Sequence, residues 1–185
     1  MIDNENTESM TDINRVQVTA TSADDLDAIV EVVNAAAKVF QTLIPPDRWH
    51  EPYMPRDEAA SEIADGVVFW SARLHGRIVG VMGLQRKNDA DLIRHAYVKP
   101  DLQGAGIGSL LLTHLESVAE RPILLGTWRA NEPAIGFYRR HGYSLVDEKD
   151  RERLLRTYWT IPERQIEESI VMANPAWQAL HPSDD

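Results

Sequence analysis

The 185-residue chain contains no cysteine. Disulfides, thiolate metal centres and a cysteine nucleophile are therefore excluded. It also lacks any apolar run of membrane-spanning length. Its first fourteen residues carry Asp3, Glu5, Glu8 and Asp12 but no lysine or arginine, the reverse of a secretory or transit leader. The missing secretory signal gives the expectation of a cytoplasmic protein, and the missing apolar run that of no membrane partner. Basic charge is scarce as well: 19 Lys and Arg stand against 29 Asp and Glu, for a formal charge of −10. The densest basic groups, Arg139-Arg140 and the stretch Arg151 to Arg156, are short and interrupted. A phosphate backbone demands a clustered positive face, so no nucleic-acid partner is expected. His50 and His141 have no neighbouring carboxylate or histidine at ligand spacing, and no metal is expected. The Gly-x-Ser-x-Gly elbow of serine hydrolases is missing, and no internal repeat is present.

What remains is an ordinary globular balance, 43% hydrophobic and 26% charged, at a length that supports one well-buried core. Three segments are expected: residues 1–14 as a disordered acidic N-terminal segment, residues 15–173 as one domain, and residues 174–185 as a tail without structure. Within the domain, Val16 to Ala20 alternates as a strand. Ser22 before Ala-Asp-Asp-Leu signals a helix start, with the helix running to about Val39. Pro45, Pro46, Pro52 and Pro55, interleaved with Trp49, His50, Tyr53 and Met54, mark an irregular loop from Gln41 to Asp57. A short helix to Asp65 stops at Gly66. Val67 to Leu74 and Arg77 to Arg86 then read as a hairpin around His75-Gly76. The periodicity predicts strand 91–98, helix 106–120, strand 123–128, helix 131–141 and strand 143–148. Beyond these it predicts a short helix 150–158, a break at Pro162 and a last strand 168–172. The order β-α-α-β-β-β-α-β-α-β(-α-β) places the chain in the α/β (α+β) class, with a mixed, mostly antiparallel sheet of six to seven strands flanked by helices.

The most informative stretch is Val98 to Leu112, Val-Lys-Pro-Asp-Leu-Gln-Gly-Ala-Gly-Ile-Gly-Ser-Leu-Leu-Leu, where a strand passes through a glycine-rich turn directly into a helix. The first turn of a helix carries unpaired N–H groups and the positive end of the macrodipole, so an anion is doubly satisfied there. Gly104, Gly106 and Gly108 leave room for one. The dinucleotide fingerprint fails, because Ser109 stands where its third glycine belongs, and the nucleoside-triphosphate loop fails, because Gly108 stands where its lysine belongs. Gln103-x-x-Gly106-x-Gly108 instead resembles the pyrophosphate-binding motif of the GCN5-related N-acetyltransferase (GNAT) family. The later Asn131-Glu-Pro-Ala134-Ile-Gly-Phe137-Tyr138-Arg-Arg-His-Gly142-Tyr143 is similar to that family's second acetyl-CoA motif, in the same order and spacing. The resemblance covers roughly Val16 to Met172, with the first half matched by element order alone.

The resemblance implies an N-acyltransferase that moves an acetyl group from acetyl-CoA to an amine by direct attack in a ternary complex, with no metal. It assigns the pantetheine arm and the thioester carbonyl to the backbone at the end of the fourth strand, Tyr97 and Val98. The pyrophosphate falls to the N–H groups of Gln103, Gly104, Ala105, Gly106, Ile107, Gly108 and Ser109. Pantetheine and sulfur contacts fall to Asn131 and Tyr138. A phenol with a pKa near ~10 is protonated at neutral pH, which makes Tyr138 the candidate general acid.

Family members with a direct base carry it on the fourth strand, at positions matching Leu92 and Arg94, and neither side chain can serve. His95 is the remaining candidate. It lies one residue away, and strand alternation turns it to the other face unless a bulge re-aims it. A water relay is the other solution. For the acceptor, Trp49, Tyr53 and Met54 offer apolar contact and Asp47 and Glu51 offer negative charge, while Arg151 to Arg156 offers positive charge or a solvated helix face. His114 is expected to be a partly buried helix residue, and Trp128, Trp159 and Trp177 to be core or interface aromatics. Dimers are common in the family, so a homodimer is among the implied partners, with Trp177 covering a neighbour. The alternative to an enzyme is a non-catalytic acyl-CoA-binding or sensor module.

Overall fold

A computed structural model describes residues 15–182. The expected disorder of residues 1–14 falls outside the described residues. Seven strands form one sheet: β1 (Gln17–Ala20), β2 (Val67–Leu74), β3 (Arg77–Arg86), β4 (Asp91–Val98), β5 (Ile123–Trp128), β6 (Ser144–Leu145) and β7 (Ser169–Ala173). Their spatial order is β1-β2-β3-β4-β5-β7-β6. Seven α-helices accompany them: α1 (Leu26–Ala37), α2 (Arg56–Ala64), α3 (Ile107–Val118), α4 (Glu132–Arg140), α5 (Glu148–Tyr158), α6 (Glu163–Glu167) and α7 (Pro175–Leu180).

Pairs β1/β2, β5/β7 and β6/β7 are antiparallel. The two-residue link His75-Gly76 and the four-residue link Lys87 to Ala90 force β2/β3 and β3/β4 to be antiparallel too, since a parallel pair needs a crossover of a dozen residues or more. Helix α3 is such a crossover, and β4 pairs in parallel with β5 from Asp91↔Ile123 to Ile93↔Leu125. The expected α/β class and mostly antiparallel sheet are what the structure has.

Two compact units make up the described chain. The first comprises residues up to Val39, His50–Leu84 and His95–Val118. Its core joins Ile29, Val32 and Val33 of α1 and Ala59 of α2 to Phe69 of β2 and Val81 of β3. These apolar positions recur at three and four residues along α1, which is why that helix buries one face. Strand β3 is buried over eight consecutive residues, so its apolar run does not alternate. Helix α3 buries Ile107, Leu111 and Leu115, with Gly80 letting the Ile107 and Leu111 side chains approach the β3 backbone. The start of α1 is fixed by Asp25, whose carboxylate accepts the Ser22 N–H at 2.9 Å and pairs with Arg73 at 2.7 Å.

The second unit comprises Phe40–Trp49, Gln85–Arg94 and the described residues from Ala119 onward. Leu92, Leu124 and Val171 of its strands pack with Leu154, Leu155 and Tyr158 of α5, Ile166 of α6 and Trp177 of α7. The Tyr158 hydroxyl donates to the Asp89 carboxylate at 2.7 Å. Burial, with that carboxylate second, pushes its pKa up to about 12.

Several expectations need correction here. The expected strand 143–148 shrinks to Ser144–Leu145, because α5 already begins at Glu148 after Asp147 leaves the helical region. Helix α6 occupies a segment read only as a break. The expected unstructured tail contains α7, which Asn174 caps by accepting the Trp177 N–H at 3.1 Å. Trp177 is 6% exposed and lies in its own chain's core, so it is not available to cover a neighbour.

Candidate active site

The turn that follows β4 is built as its glycines require. Gly104 and Gly106 adopt φ of +80° and +88°, the left-handed region closed to most side chains. A Cβ at either position would meet nothing within 4 Å. Backbone conformation, rather than crowding by the protein, is therefore what selects glycine there, and the space in front of the turn is open. Ile107 is buried and anchors the first turn of α3, while Gln103 and Gly106 are exposed. The Gln103 side-chain amide donates to the Val98 carbonyl at 3.1 Å, and the Lys99 N–H donates to Val79 of β3 at 2.9 Å. Strand end and turn are thus tied to each other and to β3. Tyr97 is partly buried against the first unit's core.

His95 departs from regular strand geometry: its φ is +50°, in the middle of a strand whose other described residues are not left-handed. Such a conformation costs an ordinary L-residue of order 1–3 kcal/mol and concentrates at functional positions. The ring stacks against Phe69 at 5.9 Å between centroids, and Nε2 lies 2.6 Å from the Glu62 carboxylate of α2. The two side chains are 16% and 19% exposed. Glu62 gave no signal in the sequence beyond lying in the expected short helix; only the fold brings it to His95. Arg94, at a family base position, donates to Gln85 at 2.8 Å.

Of the acceptor-loop residues in the first unit, Met54 is 1% exposed and belongs to the core, which corrects its reading as a substrate contact. Asn34 of α1 brackets it by donating to the Met54 carbonyl at 2.9 Å and accepting its N–H at 2.8 Å. Tyr53 stacks on His50, with ring centroids 6.0 Å apart. In this same unit His114 lies tilted on Trp70 at 4.1 Å, the partly buried helix residue expected.

In the second unit, Asn131 caps α4 by accepting the Ala134 N–H at 3.4 Å, and its amide donates to the Thr127 hydroxyl at 3.2 Å. Tyr138 is 5% exposed, edge-on to Phe137 at 5.0 Å and tilted against Tyr143 at 5.5 Å. Burial raises its pKa well above the ordinary phenol value, so it holds its proton throughout the physiological range. Asp47 is paired with Arg164 at 3.0 Å. Arg151 is committed to the Ser169 carbonyl at 3.0 Å and to the Ile166 carbonyl, which makes it a structural staple.

The profile of the Acetyltransferase (GNAT) family matches residues 34–143, more than half of the chain. The chain belongs to the GNAT acetyltransferase family. Solved structures with the same fold include the PaiA N-acetyltransferase of Thermoplasma acidophilum in complex with coenzyme A. It has 17% identity and a TM-score of 0.65, with 86% of this chain and 98% of that one covered. The ribosomal-protein-S18-alanine N-acetyltransferase of Escherichia coli aligns at 21% identity and TM-score 0.63, over 87% and 94%. A GNAT family acetyltransferase of Elizabethkingia anophelis with acetyl-CoA bound aligns at 18% and 0.55, over 86% and 97%. No curated protein matches the sequence. Among the described residues no helix is long and apolar enough to cross a membrane, and no group of three or more metal-ligating side chains occurs.

Proposed function

We propose that this protein transfers an acetyl group from acetyl-CoA to the amine of a small molecule or peptide, by direct attack within a ternary complex. The observation that carries the reading is the pair of left-handed glycines at Gly104 and Gly106, which open the turn before α3 onto unfilled space. Helix-start N–H groups from Gln103 to Ser109 bind the pyrophosphate there. The backbone at Tyr97 and Val98 receives the pantetheine arm and polarises the carbonyl to be attacked.

Acetyl-CoA supplies a thioester that is already activated, so the chain's residues have only to position it and move protons. A neutral amine forms the new C–N bond as the C–S bond breaks. His95 takes the proton that the amine nitrogen must shed. Asn131 orients the pantetheine, and Tyr138 donates a hydrogen bond to the departing sulfur. A thiol with an ordinary pKa near ~8.5 is a stronger acid than the buried phenol. Tyr138 therefore acts by hydrogen bonding as negative charge develops, a narrower role than the general acid first expected of it. The cytoplasm remains the proposed location, and a homodimer a proposed assembly.

Calorimetric titration with acetyl-CoA and then free CoA, followed by thiol release in the presence of primary amines, tests the reading. Micromolar binding with amine-dependent release is expected. Absence of binding to either ligand refutes it, and binding without turnover for any amine makes the protein an acyl-CoA-binding module.

A further inference from the structure

The His95–Glu62 contact leads to an assignment finer than a base on β4, one that rests on the acyltransfer reading just given. An ionised carboxylate can only accept hydrogen bonds, so across the 2.6 Å contact the imidazole Nε2–H is the donor and Glu62 the acceptor. In the neutral ring the lone pair then resides on Nδ1. Nδ1 has no hydrogen-bond partner among the described residues, whereas Nε2 is occupied. Phe69 limits rotation of the ring by stacking on it at an interplanar angle of 29°. The strand distortion at His95 and the position of Glu62 on α2 thus converge on one imidazole orientation, with one nitrogen committed and the other open.

We propose that Glu62 is a positioning residue for the reaction: it holds His95 as the Nε2–H tautomer, which makes Nδ1 the atom that accepts the amine proton. When the amine nitrogen bonds to the acetyl carbon, its proton passes to Nδ1 and the ring becomes an imidazolium. The Glu62 carboxylate stabilises that cation through the existing hydrogen bond. The imidazolium then returns the proton to solvent, and the pair is restored. Glu62 touches neither amine nor thioester. Its effect is transmitted through the ring, as a carboxylate orients a catalytic histidine in hydrolytic triads.

The test needs a readout that does not depend on turnover. Nitrogen-15 NMR of ring-labelled, acyl-CoA-free protein should show His95 with Nε2 protonated, Nδ1 unprotonated, and a downfield Nε2 proton protected from exchange. Glu62→Gln keeps an acceptor oxygen and should preserve the tautomer while removing the charge. Glu62→Ala should give a mixed tautomer and lose the protected proton. Kinetics are followed with acetyl-CoA and whichever of an alkylamine, a free amino acid or an unblocked tripeptide releases thiol, and with water as acceptor if none does. A fall in kcat of about tenfold for Glu62→Gln and about a hundredfold for Glu62→Ala is expected, with the CoA dissociation constant unchanged.

A raised KM for the amine at constant kcat would mean that Glu62 binds the acceptor itself, and would overturn the assignment. So would an unaltered tautomer in Glu62→Ala, or wild-type kcat in that variant. Failure of CoA to bind wild-type protein would instead remove the acyltransfer reading, and this inference with it; the calorimetric experiment distinguishes that case.

Discussion

The Gln103 side chain reaches back to the Val98 carbonyl at 3.1 Å, joining the last residue of β4 to the turn that opens α3. Together with the Lys99 N–H to Val79 bond, it ties the strand end, to which the pantetheine arm is proposed to bind, to the glycine turn proposed for the pyrophosphate. Gln103→Ala should weaken CoA binding by about two- to tenfold, the worth of one hydrogen bond of ~0.5–1.5 kcal/mol. Gly106→Val should do more. A β-branched side chain at φ +88° is strained by more than the ~1–2 kcal/mol ordinary for an L-residue, and relief of that strain collapses the turn. Calorimetry should show CoA binding lost, and retained wild-type affinity would remove the pyrophosphate from this turn.

Tyr138→Phe removes a single oxygen from a ring buried against Phe137 and Tyr143. If the hydroxyl hydrogen-bonds the departing sulfur, kcat should fall by about 10- to 100-fold while the CoA dissociation constant stays put. Steady-state kinetics alongside calorimetry separate the two, and a variant with unchanged kcat would leave Tyr138 as packing only.

Asp25 should govern part of the acid stability. The Ser22 backbone N–H and then the Arg73 guanidinium hold its carboxyl below the usual value. A depressed folded pKa contributes stability that is present above the unfolded value of ~3.9 and is lost as pH falls through the folded one. Asp25→Ala should therefore cost about 1 kcal/mol at pH 7 in urea unfolding. Its deficit should shrink once the pH has fallen through the lowered folded pKa and the wild-type carboxyl is protonated, and a deficit that persists undiminished there would contradict the electrostatic account.

Trp177 ties the C-terminal helix α7 to the second unit's core, sharing its buried cluster with Leu124, Val171 and Ala173. Trp177→Ala should cost roughly 3–5 kcal/mol and lower the urea midpoint accordingly. Were the segment a tail without structure, the substitution would leave the midpoint where it was.

Sequence alone determined the elements whose signals are local. The β2–β3 hairpin, the apolar face of α3 and the glycine turn before it follow from residue spacing and from backbone conformations that only glycine takes readily, and the two ordered motifs identified the family. Signals that depend on what lies across the fold were not legible. Asn174 and Trp177 look like any polar-then-aromatic pair until a sheet is there to bury the indole. Ser144–Leu145 could not be told from a longer strand, because where β6 ends is fixed by its pairing with Met172 and Ala173 and by the start of α5. The direction of His95 and its partnership with Glu62, 33 residues earlier, were decided by tertiary structure alone. Residue spacing carries no signal for a left-handed residue inside a strand, and Phe69 and Glu62 reach His95 only in the folded chain.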